Sequence, residues 1–340
     1  MSGPVGGSVG RAAQLAVSDL SVELAGQRGV VRPVDGVSLA VAPGEAVGLV
    51  GESGSGKSMT LKAILGVLPP EAKVTSGNVV LDGTDLTGLS HSALNKVRGR
   101  RIAMIFQEPM SALNPVMRVG NQIAEGPRVH LGMSRAQSVQ RALELMRRVG
   151  IPDPERRFRA FPHEFSGGMR QRVMIAIALS CDPELILCDE PTTALDVTIQ
   201  DQILRLLAQL CRESGTSLIF VTHDLPVVAQ ICHQVAVMYA GRIVERGTVS
   251  AVFRAPRHPY TLGLLRSAPD VDQPDQSLVP IPGSPPSLLS PPSGCRFHPR
   301  CKFAEEDCKV SDPPLRLLDA DRATACLHYE RCLDEMGADV

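Results

Sequence analysis

Aromatic residues are scarce in this chain. They make up 3% of its 340 residues, tryptophan is absent, and no Phe, Tyr or Trp precedes Phe106. Any core in the N-terminal third must therefore be built from aliphatic side chains. No apolar run approaches the ~20 residues that a membrane-crossing helix needs, so no transmembrane span is expected. Net charge is nearly absent as well, with 35 basic against 36 acidic residues, and nothing in that balance suggests a nucleic-acid surface. Residues 1–15 are rich in Gly, Ala and Ser and lack the apolar centre of a signal peptide. They are expected to be a disordered lead-in. Nine cysteines without an export signal argue against a disulfide framework and for reduced thiols or metal ligands in a cytoplasmic protein. There is no internal repeat. What is present is 44% apolar residues in a chain longer than one ordinary core, so one large domain with an appendage is expected.

The stretch Gly51-Glu-Ser-Gly-Ser-Gly-Lys-Ser58 fits G-x-x-x-x-G-K-[ST] at every fixed position. An apolar run, Ala46–Val50, precedes it as a buried strand, and Met59–Leu65 follows with helical spacing of apolar residues. Strand, glycine loop and helix in that order form a phosphate cradle. Gly51, Ser53, Gly54, Ser55, Gly56 and Met59 would offer backbone N–H groups to an anion. Lys57 would reach the β- and γ-phosphates of ATP, and the Ser58 hydroxyl would ligate Mg²⁺. The plain alternative, a Gly/Ser turn before a helix, does not account for the flanking pattern.

Alternating apolar and polar residues over 16–50 predict an antiparallel strand layer feeding that loop. Asn78–Gly83 adds a strand closed by an Asp82-Gly83 turn, and Arg101–Phe106 reads as a buried strand ending at Gln107. Residues 115–180 are expected to form a helical subdomain, in which Ser138–Val149 is an amphipathic helix. Phe165–Arg172 opens another helix. Leu185–Cys188 and Leu218–Val221 are short buried strands that deliver Asp189-Glu190 and Thr222-His223-Asp224 at their carboxyl ends. Parallel strands alternating with helices, with ligand groups at the strand ends, describe a doubly wound P-loop core. The nucleotide-binding domain is placed at 16–268. Eight prolines between Pro269 and Pro292 mark a linker over 269–294. A cysteine-rich extension occupies 295–340.

Ser166-Gly-Gly168 closely resembles the signature motif of ABC-type ATPases. Gln107, the Ala194-Leu-Asp196 turn and His223 follow the order and spacing of that family's Q-loop, D-loop and switch histidine. Phe165 and Met169 depart from the commonest form of the signature without touching its Ser-Gly-Gly. Three further stretches, Phe106–Pro115, His258–Leu265 and Ile281–Pro286, are similar to the ATP-binding subunits of dipeptide, oligopeptide and nickel importers, and so is the tail Gly294–Cys301. The resemblance covers nearly all of the chain after residue 15. It implies an α/β P-loop NTPase core of ABC type with an antiparallel β subdomain, a helical subdomain and a Cys-rich C-terminal extension.

The resemblance also implies roles. Asp189 would hold Mg²⁺ together with Ser58 and Gln107. Glu190 would orient or deprotonate the attacking water, and His223 would contact the γ-phosphate. Ser166, Gly167, Gly168 and Asp196 would complete the phosphate-loop site of a second ATPase subunit, whether a self copy or a paralogue. Further partners implied are two transmembrane permease subunits and, indirectly, an extracytoplasmic solute-binding protein. The chain would sit peripherally on the cytoplasmic face of the cell membrane and energise import of peptides or a related small solute. The family usually stacks adenine on an upstream aromatic residue, which is lacking here; either Arg28 or Arg32 supplies a guanidinium plane instead, or affinity for the base is low, and the sequence leaves both open.

Cys181, Cys188, Cys211 and Cys232 lie in apolar segments and read as inert thiols. Cys295, Cys301, Cys308 and Cys326 lie in a polar, Pro-rich tail with no core of its own. Four thiolates can hold Zn²⁺ or an iron–sulfur cluster, or remain unligated. The C-x₂₋₄-C pairs that zinc favours are missing, and the resemblance implies a [4Fe–4S] cluster. Cys332 is left spare. A rival function is a redox-responsive regulatory ATPase not tied to transport.

Overall fold

The computed structural model describes residues 13–27, 29–193, 195–268, 279–332 and 335. Its strands are β1 (Leu15–Gly26), β2 (Gly29–Val41), β3 (Ala46–Val50), β4 (Ala72–Leu81), β5 (Thr84–Asp85), β6 (Ile102–Ile105), β7 (Leu185–Asp189), β8 (Ser217–Thr222), β9 (Gln234–Tyr239), β10 (Arg242–Thr248), β11 (Arg316–Asp319) and β12 (Arg322–Thr324). The helices are α1 (Lys57–Leu65), α2 (His91–Val97), α3 (Pro109–Ala112), α4 (Val119–His130), α5 (Arg135–Arg148), α6 (Pro154–Arg157), α7 (Gly167–Leu179), α8 (Val197–Ser214), α9 (Leu225–Ile231), α10 (Val249–Arg254), α11 (Pro259–Ser267) and α12 (Glu306–Val310). They fall into two compact units. The first holds the described residues up to Ala42, Ala46–Thr87 and those from Thr222 onward; the second holds Pro43–Glu45 and Gly88–Val221.

In the first unit, β1 pairs antiparallel with β2 and β4, giving the order β2-β1-β4-β5. Alternation along β1 buries Leu15, Val17, Leu20 and Val22 and leaves the intervening side chains wetter. The Asp82-Gly83 turn, with φ of 43° and 76°, joins β4 to β5, as the sequence predicts. A second strand run has β3 parallel to β9, then β10, β12 and β11 added antiparallel. Every residue of β3 is buried, the mark of a strand covered on both faces.

In the second unit, β6, β7 and β8 are parallel in the order β8-β7-β6. All residues of β7 and β8 are buried. Helices α4, α5, α6 and α7 fall within residues 115–180; α5 starts at a capping box in which Ser134 and Gln137 satisfy each other's backbone N–H. Helix α7 starts at Ser166, whose hydroxyl accepts from the Met169 N–H.

One expectation needs adjusting. The lead-in was placed at residues 1–15, yet Leu15 opens β1 and is fully buried; residues 1–12 lie outside the described residues. The sequence predicts a tail with no core of its own, which leaves open that it packs elsewhere: β12 pairs with β10, Arg322 forms a buried ion pair with Glu245 at 3.0 Å, and Phe297, Ala323, Thr324 and Cys332 are buried. The tail borrows the core of the first unit, a solution that its own proline-rich composition does not reveal. Residues 269–278 of the linker lie outside the described residues, and 279–294 contain neither helix nor strand.

Candidate nucleotide site and cysteine pocket

The phosphate loop leaves β3 at Gly51 and enters α1 at Lys57. Gly56 caps that helix with φ 109°, and a Cβ on it would lie 1.9 Å from the Pro33 carbonyl oxygen, so the loop can close only around glycine. Lys57 is buried, and its Nζ donates to the carbonyls of Gly51 at 2.7 Å and Glu52 at 2.9 Å. The ammonium thus lies across the loop's mouth, where a phosphate oxygen can replace a carbonyl. Ser53 and Gly54 are exposed, and Ser58 and Met59 half-buried. The Ser55 Oγ is buried with no hydrogen-bond partner among the described residues, while the Ser55 carbonyl accepts from the Gly241 N–H at 2.8 Å. Loop, lysine and helix N-terminus fit a polyphosphate.

Behind the loop lies a cluster made from the chain's few rings. Tyr239 and Tyr260 have centroids 4.5 Å apart, and Phe297 of the tail meets Tyr239 edge-on at 5.2 Å. The Glu52 N–H donates to the Tyr260 hydroxyl at 2.7 Å. The Glu52 carboxylate is gripped by Arg300 of the tail, with Nη1 and Nη2 at 2.7 and 3.0 Å. Sequence reading gives no role to Glu52, Tyr260 or Arg300, although each lies in a stretch it singles out. Glu52 occupies a variable position of the motif, and no local pattern connects it to a residue 248 positions away.

In the second unit, β7 delivers Asp189, which is only 6% exposed. A carboxylate so placed is costly without a cation or hydrogen bonds. Glu190 follows with φ 45°, a left-handed backbone rare outside glycine, and its N–H donates to the Val221 carbonyl at 3.0 Å. Its side chain accepts from Thr193 Oγ1 at 3.0 Å and lies 3.4 Å from Gln107 Nε2. The structure thus brings Gln107 and Glu190 together and adds Thr193, which sequence reading missed. Ser166 and Gly167 are exposed at the start of α7 while Phe165 beneath them is buried. A Cβ on Gly168 would meet Ile199 of α8 at 2.6 Å, so α7 and α8 touch through that glycine. Asp196 caps α8, accepting from the Ile199 N–H at 2.9 Å. Ala194 lies outside the described residues.

His223, in the first unit, is exposed just past the end of β8. Of the two arginines named for adenine, Arg32 is tied to Glu23 at 3.0 Å, and Arg28 lies outside the described residues.

Cys295, Cys301, Cys308 and Cys326 line one pocket, together with His298 and His328. Burial pushes Cys301 up to about 11 and Cys326 up to about 12, and the neighbouring thiols add to both. Among the described residues, the donor set lying wholly within 4.8 Å is Asp307, Cys308 and His328. The aliphatic-segment cysteines behave as expected: Cys181, Cys188, Cys211 and Cys232 are buried, and burial drives Cys211 and Cys232 up to about 12.

Residues 34–193 match the family described as ABC transporter, and residues 244–308 match the oligopeptide/dipeptide transporter C-terminal region. The chain is 52% identical to a probable peptide ABC transporter ATP-binding protein of Sinorhizobium fredii, over 92% of this chain and 94% of that one. It is 45% identical to the dipeptide transport ATP-binding protein DppD of Escherichia coli, over 96% and 98%. Among solved structures, a dimeric bacterial ABC transporter cassette matches with a TM-score of 0.62 at 29% identity, over 69% of this chain and 98% of that one. A dimeric ATP-binding cassette in a post-hydrolysis state with ADP and Pi matches with a TM-score of 0.60 at 29% identity, over the same shares of the two chains. With the phosphate loop, the carboxylate pair and the signature helix in place, the chain belongs to the ABC transporter family as an ATP-binding, ATP-hydrolysing subunit.

Proposed function

We propose that this chain energises the import of peptides or a related small solute. It works as one of a pair of ATPase subunits on two permease subunits, at the cytoplasmic face of the membrane, with an extracytoplasmic solute-binding protein feeding the complex. The observation that carries this reading is likeness along nearly the whole chain, including the C-terminal region, to proteins named for peptide and dipeptide transport. A regulatory ATPase unconnected with transport has no comparable support. Among the described residues no helix is long and apolar enough to cross a membrane, which accords with a subunit that works through permeases.

In this reading Lys57 and the loop N–H groups bind the phosphates, with Ser58, Gln107 and Asp189 as the holders of Mg²⁺. The metal, when bound, supplies charge neutralisation on the phosphate oxygens. Glu190, restrained by Thr193 and Gln107, orients the attacking water and takes its proton, and His223 touches the γ-phosphate. Ser166, Gly167 and Gly168 present a bare helix N-terminus to the partner subunit's ATP, with Asp196 beside them in the role the family gives it.

The cysteine pocket is proposed to hold a [4Fe–4S] cluster. Soft thiolates suit iron–sulfur and zinc alike, but spacing favours the larger group. Four sulfurs bound to one Zn²⁺ at about 2.3 Å stand about 3.8 Å apart, whereas no three of these cysteines form a set within 4.8 Å among the described residues. Such a site would anchor the tail rather than react.

One preparation tests both parts. The chain is co-expressed with its permease subunits, purified without oxygen and reconstituted in vesicles. Expected are a stable complex, ATP-dependent uptake of a labelled dipeptide, and broad absorbance near about 400 nm. A complex that hydrolyses ATP but moves no peptide would overturn the substrate class. A colourless complex with one zinc per chain would overturn the cluster.

A further inference from the structure

Arg300 of the tail reaches the phosphate loop. Arg300 sits in the 3₁₀ turn His298–Arg300, between Cys295 and Cys301, and is 8% exposed. Its Nε donates to the Pro282 carbonyl at 2.8 Å, and its two terminal nitrogens hold both carboxylate oxygens of Glu52. Its guanidinium also lies 5.9 Å from the Tyr239 ring centre. Glu52 is the second residue of the phosphate loop. Its carbonyl accepts from Lys57, its N–H donates to Tyr260, and its carboxylate belongs to Arg300.

We infer that Arg300 is a positioning residue for the nucleotide site, holding Glu52 so that the phosphate loop keeps its binding shape and its anionic side chain stays neutralised. Three physical points carry this. First, a bidentate guanidinium–carboxylate pair fixes orientation as well as charge, and the planar fork here is already immobilised by Pro282 and Tyr239. Second, a loop built to bind a polyanion carries a carboxylate of its own. Unpaired, Glu52 would add an uncompensated negative charge to the loop that has to receive a polyanion. Third, when Lys57 turns from the Gly51 and Glu52 carbonyls to a phosphate oxygen, those carbonyls lose that donor. The Arg300 and Tyr260 contacts are then what still tie residue 52 to the protein behind it. Because Arg300 directly precedes Cys301, whatever orders the cysteine pocket also sets the position of this arginine. The inference rests on the ATP-binding reading of the loop and not on the transported solute.

The test measures affinity of the full-length chain for a fluorescent ATP analogue, with kcat followed separately. Arg300→Ala should raise the Kd by about 2- to 30-fold, with kcat at saturating ATP changing by less. Glu52→Gln, introduced into the Arg300→Ala chain, should recover most of the lost affinity, because it removes the orphaned carboxylate. Loss of tail structure alone would not be rescued in this way. Glu52→Gln by itself should make nucleotide affinity much less sensitive to the later loss of Arg300, so the pair stays testable if the single arginine variant folds poorly. An unchanged Kd in Arg300→Ala, or a raised Kd that Glu52→Gln leaves untouched, overturns the inference. Either result leaves dipeptide uptake by the wild-type complex as it was, so it is distinguishable from failure of the transport reading.

Discussion

The phosphate loop of the first unit and the residues proposed for catalysis and signature in the second are built on opposite plans. The loop is tied down from several directions: Lys57 to its carbonyls, Gly241 to Ser55, Tyr260 and Arg300 to Glu52. In the second unit the chemistry stands at open ends. Gln107, Ser166 and Gly167 are exposed, and Glu190 is half-buried on a left-handed backbone with Thr193 close to its carboxylate. Binding tolerates, and gains from, a site formed in advance, because a pre-ordered loop pays little entropy when ATP arrives. Hydrolysis that uses a second subunit, as proposed above, needs the reverse: groups presented where a partner can reach them. On that proposal the difference separates affinity, which one chain can supply, from turnover, which needs the pair.

The sharpest way to break this comparison is to remove the carboxylate of the open region. Glu190→Gln keeps shape and hydrogen bonding but cannot accept the proton. Hydrolysis by the assembled transporter should fall about 10²- to 10⁴-fold, while ATP affinity of the isolated chain stays within experimental scatter of wild type. Near-normal turnover would take Glu190 out of the base role and leave Asp189 and water to explain the chemistry.

A smaller effect is expected from the signature. Ser166→Arg places a bulky cation on the exposed start of α7 and removes the hydroxyl that accepts from Met169. ATP-dependent pairing of subunits, followed by light scattering, should disappear, and hydrolysis should fall by about 10²-fold, the scale for losing a set of anion-stabilising donors. Binding of ATP by the monomer should persist, since Lys57 and its loop lie in the other unit. Loss of monomer binding would show that the signature serves its own chain's nucleotide.

Much of this division is legible in the sequence because its parts are local. A phosphate loop is one continuous segment whose glycines are required by backbone closure, as at Gly56. The strands β3, β7 and β8 announce themselves as unbroken apolar runs. The cap at Ser166 and the turn at Asp82-Gly83 are decided by residues within three positions. What escaped is non-local. The prolines of the tail argue correctly against a core of its own, but not against borrowing one, so the pairing of β12 with β10 and the seat of Phe297 against Tyr239 and Tyr260 were invisible. The scarcity of rings in the sequence hid their concentration: two of the three tyrosines and Phe297 lie together behind the loop. The Arg300–Glu52 pair likewise joins two residues that no periodicity relates.

The smallest expected effect sharpens the comparison through two buried thiols. Cys232 closes α9 in the first unit, and a Cβ on Gly48 of β3, the strand that feeds the phosphate loop, would lie 3.4 Å from its sulfur. Cys211 lies in α8 of the second unit. Burial pushes both up to about 12, so the thiolate is scarce in the closed form and alkylation proceeds through local opening. Anything that binds the closed form alone slows that opening by the factor 1 + [L]/Kd. In the Glu190→Gln chain, where ATP survives, nucleotide at ten times its Kd should slow iodoacetamide labelling of Cys232 by about tenfold. With nucleotide supplied without Mg²⁺, Cys211 in the same monomers should be labelled at an unchanged rate, because in the proposed site its unit reaches this chain's nucleotide through the metal that Gln107 and Asp189 would hold. Equal protection of both thiols would mean that one bound nucleotide stabilises both units together, and the pre-formed loop would then not be a property of the first unit alone.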